Sequence, residues 1–359
     1  MPIFQKLFFT IAYKIRLFDK IESVQMVLVE LCDKINIEVV LLSKSINITI
    51  YCDEVKNMSL KDKISNVVEN WDYIGILIVP TENIKELSYD LNSKRCPNND
   101  YNICKENCRF HSKNKVKVHY QDCSDTINYQ IADRWCDIIK NNTIYNKRFY
   151  THILGINTAN INKNYFKSNN EITNVENNIY NRFFRTAIIY PIKSFFTEYD
   201  EVIIDNIYHD CGNMDHHQYF KKQPLRKINE EIQKVKLNCN EITTIHTDND
   251  NCLGVHNSLL QLIDLYLGAV MNCLHYSGKK RKEEIALKLY PVVERCINNP
   301  GNKNSKYYKI NSISFYPKHK IDKEDEWIDI MIKRQDNFYT NRELKIVFKD
   351  QLNLFDFIE

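Results

Sequence analysis

Glycine is scarce, with 7 residues in 359, while Asn, Ile, Lys and Tyr are abundant. That skew reads as AT-rich codon usage, so Asn-rich loops support no inference of their own. No stretch approaches the ~20 consecutive apolar residues that a membrane span needs, which excludes an integral membrane helix. Residues 1–16 are apolar in places, but Lys6 and Lys14 interrupt them and no small-residue cleavage site follows, so no secretory leader is expected. The net charge of +3 excludes a strong overall field. Contact with nucleic acid would have to come from local basic patches. No internal repeat is visible.

Hydrophobic residues at 43% and charged residues at 26% are enough for a real core. The length allows one large domain with extensions, or two domains. Most of the 12 cysteines stand alone in apolar elements (Cys32, Cys52, Cys136, Cys239, Cys273), as small buried hydrophobes do in a reducing compartment. A soluble, cytoplasmic protein without a membrane partner is expected.

The central stretch is residues 45–54, where β-branched and aromatic residues alternate with small polar ones and end in Asp53 and Glu54. A strand that closes on carboxylates is one way to build a site for Mg²⁺ or Mn²⁺, which prefer oxygen ligands. A solvated strand end looks the same, so other acids must fall where this pair needs them. Residues 73–79 form a continuous apolar run before Pro80, as in a buried strand, and 84–91 fit a helix. Alternation predicts strands over 116–120, with His119 near the end, and over 149–157. Helices are expected over 127–139 and 178–196, with a kink at Pro191.

Val202-Ile-Ile-Asp205 reads as a second buried strand presenting a carboxylate at its end. The following His209-to-His217 run looks like a metal box, although histidine beside acid is also ordinary loop chemistry. Residues 218–235 look helical and basic. Lys221, Lys222, Arg226 and Lys227 are candidates for phosphate contacts, as is the run 279–282. A short strand is expected over 242–246. The clearest helix covers 258–274, where Leu260, Ile263, Leu267, Val270, Met271 and Leu274 make the core stripe. Asp264 falls inside that stripe, flanked by Gln261 and Gly268. A carboxylate there is costly unless it is paired, hydrogen-bonded or metal-bound.

Residues 94–114 break the pattern with Cys96, Cys104, Cys108 and His111, spaced Cys-x7-Cys-x3-Cys-x2-His. This polar segment has too few apolar residues to fold alone, and four such ligands suit a structural, tetrahedral Zn²⁺. The spacing resembles, without matching, the Cys3His finger of RNA-binding proteins.

Acids on a first strand, a later strand and a late helix form the ordered set with which ribonuclease H folds build a two-metal centre. The sequence also resembles the family catalogued as domain of unknown function three thousand eight hundred. The resemblance rests on Tyr51-Cys-Asp53-Glu54, the run 73–80, Val118-His119-Tyr120, Val202-Ile-Ile-Asp205 and the Gln261-x-x-Asp264 helix, over residues 45–275. Val55-Lys56 stands where the family has Ser-Gly. The longer Asp248-Asn-Asp250 loop stands where it often has Asp-Ser. The resemblance implies a ribonuclease H-like fold, in a defence or mobile-element setting.

The expected fold is therefore α/β: a ribonuclease H-like mixed sheet flanked by helices over 45–275, with the zinc-stapled insert at 94–114. An N-terminal helical extension (1–44) and a C-terminal extension (276–359) flank it as possible contacts for a protein partner or a second copy. The expected function is Mg²⁺- or Mn²⁺-dependent hydrolysis of RNA or DNA. Asp53, Asp205 and Asp264 would hold metal, Glu54 would be a ligand or water-orienting base, and His119 would assist proton transfer. The rival is a non-catalytic nucleic-acid- or protein-binding component with a degenerate site of this fold.

Overall fold

The computed structural model describes residues 43–61, 68–98, 108–111, 116–143, 145–161, 163–166, 175–211, 220–247, 251–275, 280–298, 310–316, 319–323 and 326–329. The helical patterns expected within 1–35 lie outside the described residues. So do Cys104, His216, His217, Asp248, Asp250, Lys279 and the segment 330–359. The described residues from 45 onward form one compact unit.

A mixed sheet organises this unit. β1 (Ser45–Lys61) and β2 (Val68–Pro80) are antiparallel neighbours, and β3 (Tyr150–Asn157) runs antiparallel to β2 on its far side. On the other side of β1 lies β4 (Glu201–Asp210), parallel to it, followed by β5 (Val235–Leu237), parallel to β4. β6 (Thr243–Ile245) pairs with the end of β4, and β7 (Asn311–Tyr316) pairs in parallel with β3. The sheet order is β5-β4-β1-β2-β3-β7. β8 (His319–Lys323) and β9 (Glu326–Asp329) form a separate antiparallel ribbon.

Both faces of the sheet are covered, which is why residues 73–79 are apolar without alternation. One layer holds α1 (Ile84–Ser93), α2 (Thr126–Asn141), α5 (Val255–His275) and α6 (Lys280–Asn298), packed on Tyr51, Tyr73 and Leu77. The other holds α3 (Val175–Phe195) and α4 (Gln223–Glu231), packed on Ile50, Ile74, Ile76 and Ile204. α5 is buried from residue 257 to residue 274, as expected of a helix that is apolar nearly all round. No helix among the described residues is long and apolar enough to cross a membrane.

Three sequence expectations change. Residues 116–119 form no strand: they are an irregular strap leading into the short turn Tyr120–Asp122, because side chains of α5 take their backbone N–H groups. The helix expected over 218–235 is confined to α4, and the chain beyond it joins the sheet as β5. The boundary at 275 does not separate a core from an extension. α6 shares the core of α5 through Leu289 and Val293, and β7 belongs to the main sheet.

Two glycines set how closely α5 approaches its surroundings. A Cβ on Gly75 would lie 3.1 Å from Cγ1 of Ile263, so the helix rests directly on β2 there. A Cβ on Gly268 would lie 2.1 Å from Cγ of Tyr120. The Tyr120 ring, whose hydroxyl donates to the Lys282 carbonyl at 3.2 Å, therefore uses the space that glycine leaves. Gly268→Ala is expected to displace the strap and destabilise the fold by roughly 1–3 kcal/mol. Gly75→Ala, whose Cβ would meet Ile263 and Leu267 no closer than 3.1 Å, should cost less in a urea titration of both variants. Equal or reversed losses would contradict this packing.

Candidate carboxylate site

Side chains alternate along β1, so neighbours in sequence point to opposite faces. Tyr51 packs in the α5 layer and Cys52 in the α3 layer, which puts Asp53 on the α5 face and Glu54 on the α3 face. Gly75 is the ladder partner of Asp53, so α5 comes closest to the sheet beside this residue. Asp264, two turns into the buried part of α5, meets Asp53 in carboxyl-to-carboxyl hydrogen-bond contact.

The third acid comes from β4. That strand pairs with β1 through Tyr51↔Tyr208 and Cys52↔His209, so Asp210 falls beside Asp53 at the next step and on the same face. Burial, reinforced by Asp264, Glu54 and Asp210, pushes the Asp53 carboxyl well above its usual range. Burial also raises Asp264, although His119 and the Tyr120 N–H oppose the rise. The two carboxyls therefore titrate as a pair, and burial together with their mutual repulsion disfavours the doubly charged form.

The strap completes the site. Tyr120 N–H donates to Asp264 Oδ2 at 2.7 Å, and Val118 N–H donates to Gln261 Oε1 at 2.7 Å. Gln261 is itself held, because its Nε2 donates to the carbonyls of Cys252 and Asn257 at 2.7 and 3.0 Å. His119 Nε2 lies 3.6 Å from Asp264 Oδ1, while its Nδ1 accepts from the Gln121 N–H at 3.2 Å. Nε2 is therefore the nitrogen that carries hydrogen toward the acid. Thr247 Oγ1 donates to Asp210 Oδ1 at 2.9 Å, and Lys117 Nζ lies 3.4 Å from Asp210 Oδ2.

Asp205 is not part of this site. It sits at a β-bulge, between the Ile48↔Ile204 and Thr49↔Asn206 pairs. Four strand residues separate it from the level of Asp53, roughly 13 Å at ~3.3 Å per residue. Its carboxylate is already satisfied by Asn47 Nδ2 (3.0 Å), Thr81 Oγ1 (2.7 Å) and Asn238 Nδ2 (2.7 Å). The strand does not end at Asp205 but continues to Asp210. The signal for Asp210 was the resumed alternation after the bulge, with Ile207 and His209 on one face and Tyr208 and Asp210 on the other.

Glu54 also leaves the expected set, because alternation turns it to the α3 face. There its Oε2 lies 2.6 Å from His209 Nε2 and accepts from the Tyr180 hydroxyl at 3.0 Å, and Lys56 lies 3.1 Å from Oε1. Burial alone would raise this carboxyl, but His209 and Lys56 outweigh it and hold Glu54 at about 2. Glu54 and His209 thus join β1 and β4 on the face behind Asp53 and Asp210.

A further group lies on the aspartates' face. His256, at the start of α5, stacks on Tyr208 with ring centroids 4.3 Å apart and meets the Tyr51 hydroxyl at 2.9 Å. Arg226 and Lys227 point elsewhere: both pair with Glu230 on α4, in the opposite layer, and Lys221 and Lys222 form the turn before it. In the segment between α1 and α2, the ligand atoms of Cys96, Cys108 and His111 lie within 4.8 Å of one another. Burial lowers the His111 imidazole below its usual pKa.

Glu54→Gln is expected to cost roughly 3 kcal/mol, as removal of one partner from a buried pair does. Because the folded-state pKa of Glu54 is depressed to about 2, its contribution is present above the unfolded value and lost as pH falls toward 2. The stability gap between wild type and variant, measured by denaturant titration, should therefore shrink from pH 6 to pH ~2.5. A gap independent of pH would exclude this pairing.

No protein-family model matches the chain, and a search of curated proteins found no match.

Proposed function

We propose that this chain is a divalent-metal-dependent nuclease with a ribonuclease H-like core, and that Asp53, Asp210 and Asp264 are its metal ligands. The observation that supports it most is the convergence of these three carboxylates on one face, from the first strand, the fourth strand and the helix that follows the outer strands. The sheet supports the same reading. The order β3-β2-β1-β4-β5, antiparallel on one side of β1 and parallel on the other, is the order of that fold. So does the resemblance carried by Asp53-Glu54 and Gln261-x-x-Asp264, since both motifs meet here and Gln261 secures the strap against Asp264.

The donor set fits the metal. Three carboxylates on one face form an all-oxygen site for Mg²⁺ or Mn²⁺, and a dication would relieve the repulsion that raises the Asp53 carboxyl. Bound there, the ion supplies Lewis-acid stabilisation of a phosphodiester and a water of lowered pKa. The chain supplies the rest. Tyr120 N–H and Gln261 orient Asp264 and the strap, Thr247 orients Asp210, and His119 presents an N–H at the rim where a leaving oxygen needs a proton. Lys117, beside Asp210, is placed to meet a phosphate oxygen. The substrate class is RNA or DNA.

Asp53→Asn, Asp210→Asn and Asp264→Asn should each lower Mg²⁺- or Mn²⁺-dependent cleavage of a mixed RNA, DNA and hybrid panel by at least ~100-fold. Asp205→Asn should leave it within a few-fold. Asp53→Asn should also raise the melting temperature of the metal-free protein by a few degrees, because it takes one titrating carboxyl out of a buried, mutually repelling pair. A wild type that binds nucleic acid and cleaves nothing with either metal would favour a non-catalytic binding component instead.

A further inference from the structure

We propose that Cys96, Cys108 and His111 hold a structural Zn²⁺ that pins the segment between α1 and α2, and with it the strap that secures Asp264. The zinc claim stands apart from the nuclease reading; the consequence for Asp264 rests on it.

The three ligand atoms lie within 4.8 Å of one another. Sulfurs around a tetrahedral zinc lie about 3.8 Å apart, a difference that side-chain rotation closes. The orientation of His111 is the second observation. Its Nε2 lies 2.7 Å from the Asn92 carbonyl oxygen. A carbonyl can only accept, so Nε2 carries the hydrogen and Nδ1 carries the lone pair. Metal-bound histidines are oriented in this way, with the second ring nitrogen donating to a backbone carbonyl.

The surroundings give such an ion something to hold. Cys96 and His111 are almost fully buried, and Phe110, the one large apolar residue of 108–111, joins the α5-side core with Arg109 and Arg134 beside its ring. Asn92, which orients His111, also donates to the Leu253 carbonyl at 3.0 Å, and Ser88 meets Ser258 at 2.8 Å. The cluster is thus tied to the start of α5. Arg95, next to Cys96, donates to the Val116 carbonyl at the start of the strap, and Arg134 donates to the Arg95 and Lys94 carbonyls. Arg95 therefore links the cluster to the backbone that supplies Val118 N–H, His119 and Tyr120 N–H.

The test begins with elemental analysis of the full chain purified without chelator. About one equivalent of zinc per chain is expected. Cobalt(II) exchanged into the wild type should give tetrahedral d–d absorption with a sulfur-to-metal charge-transfer band. That measurement needs no variant, so it holds even if Cys96→Ser or Cys108→Ser fails to fold. Zinc below about half an equivalent, or a cobalt spectrum without sulfur character, overturns the site. Removing zinc with chelator should speed amide exchange at Val118 and Tyr120 by at least ~10-fold. Unchanged exchange at these two amides overturns the pinning role, and neither result depends on whether the chain cleaves nucleic acid.

Discussion

Two carboxyl groups in hydrogen-bond contact, with a third beside them, are costly in any protein interior, and here the surrounding elements force that contact. Asp53 has no freedom to leave, because its strand is paired on both sides. Asp264 sits on a helix buried all round and brought onto the sheet by Gly75. The strap commits a backbone N–H to Asp264, and Thr247 commits a hydroxyl to Asp210. The proposed dication between these carboxyls would offset the cost of holding them together.

The parallel pairing of β1 with β4 is what brings the site together. It places the end of β4 beside the middle of β1, which runs on past Asp53-Glu54 to Lys61, with alternate side chains serving two purposes. Asp53 and Asp210 face α5, while Glu54 and His209 face α3 and close a buried hydrogen-bonded pair behind them. The bulge at Asp205 matters for the same reason. Without that extra residue, every later side chain of β4 would turn to the other face, and Asp210 would point away from Asp53.

Much of this was legible in the chain, and the misreadings have physical causes. The apolar run 73–79 and the helix around Asp264 were readable because a fully buried strand and a fully buried helix leave strong patterns. The alternation rule, applied to Asp53-Glu54 itself, would have separated those two residues at once. Asp205 looks like a strand end in the sequence because the bulge interrupts alternation there, which leaves Asp210 in what reads as a loop. The strap at 116–120 alternates like a strand, but its hydrogen bonds go to Gln261 and Asp264, side chains more than a hundred residues away. Local pattern carries no record of such partners.

The central claim concerns where a hard cation sits. A crystal of the full chain soaked in Mn²⁺ should show anomalous density bounded by Asp53, Asp210 and Asp264, with none at Asp205. Density confined to other carboxylates, or none at these three at millimolar Mn²⁺, would contradict the account.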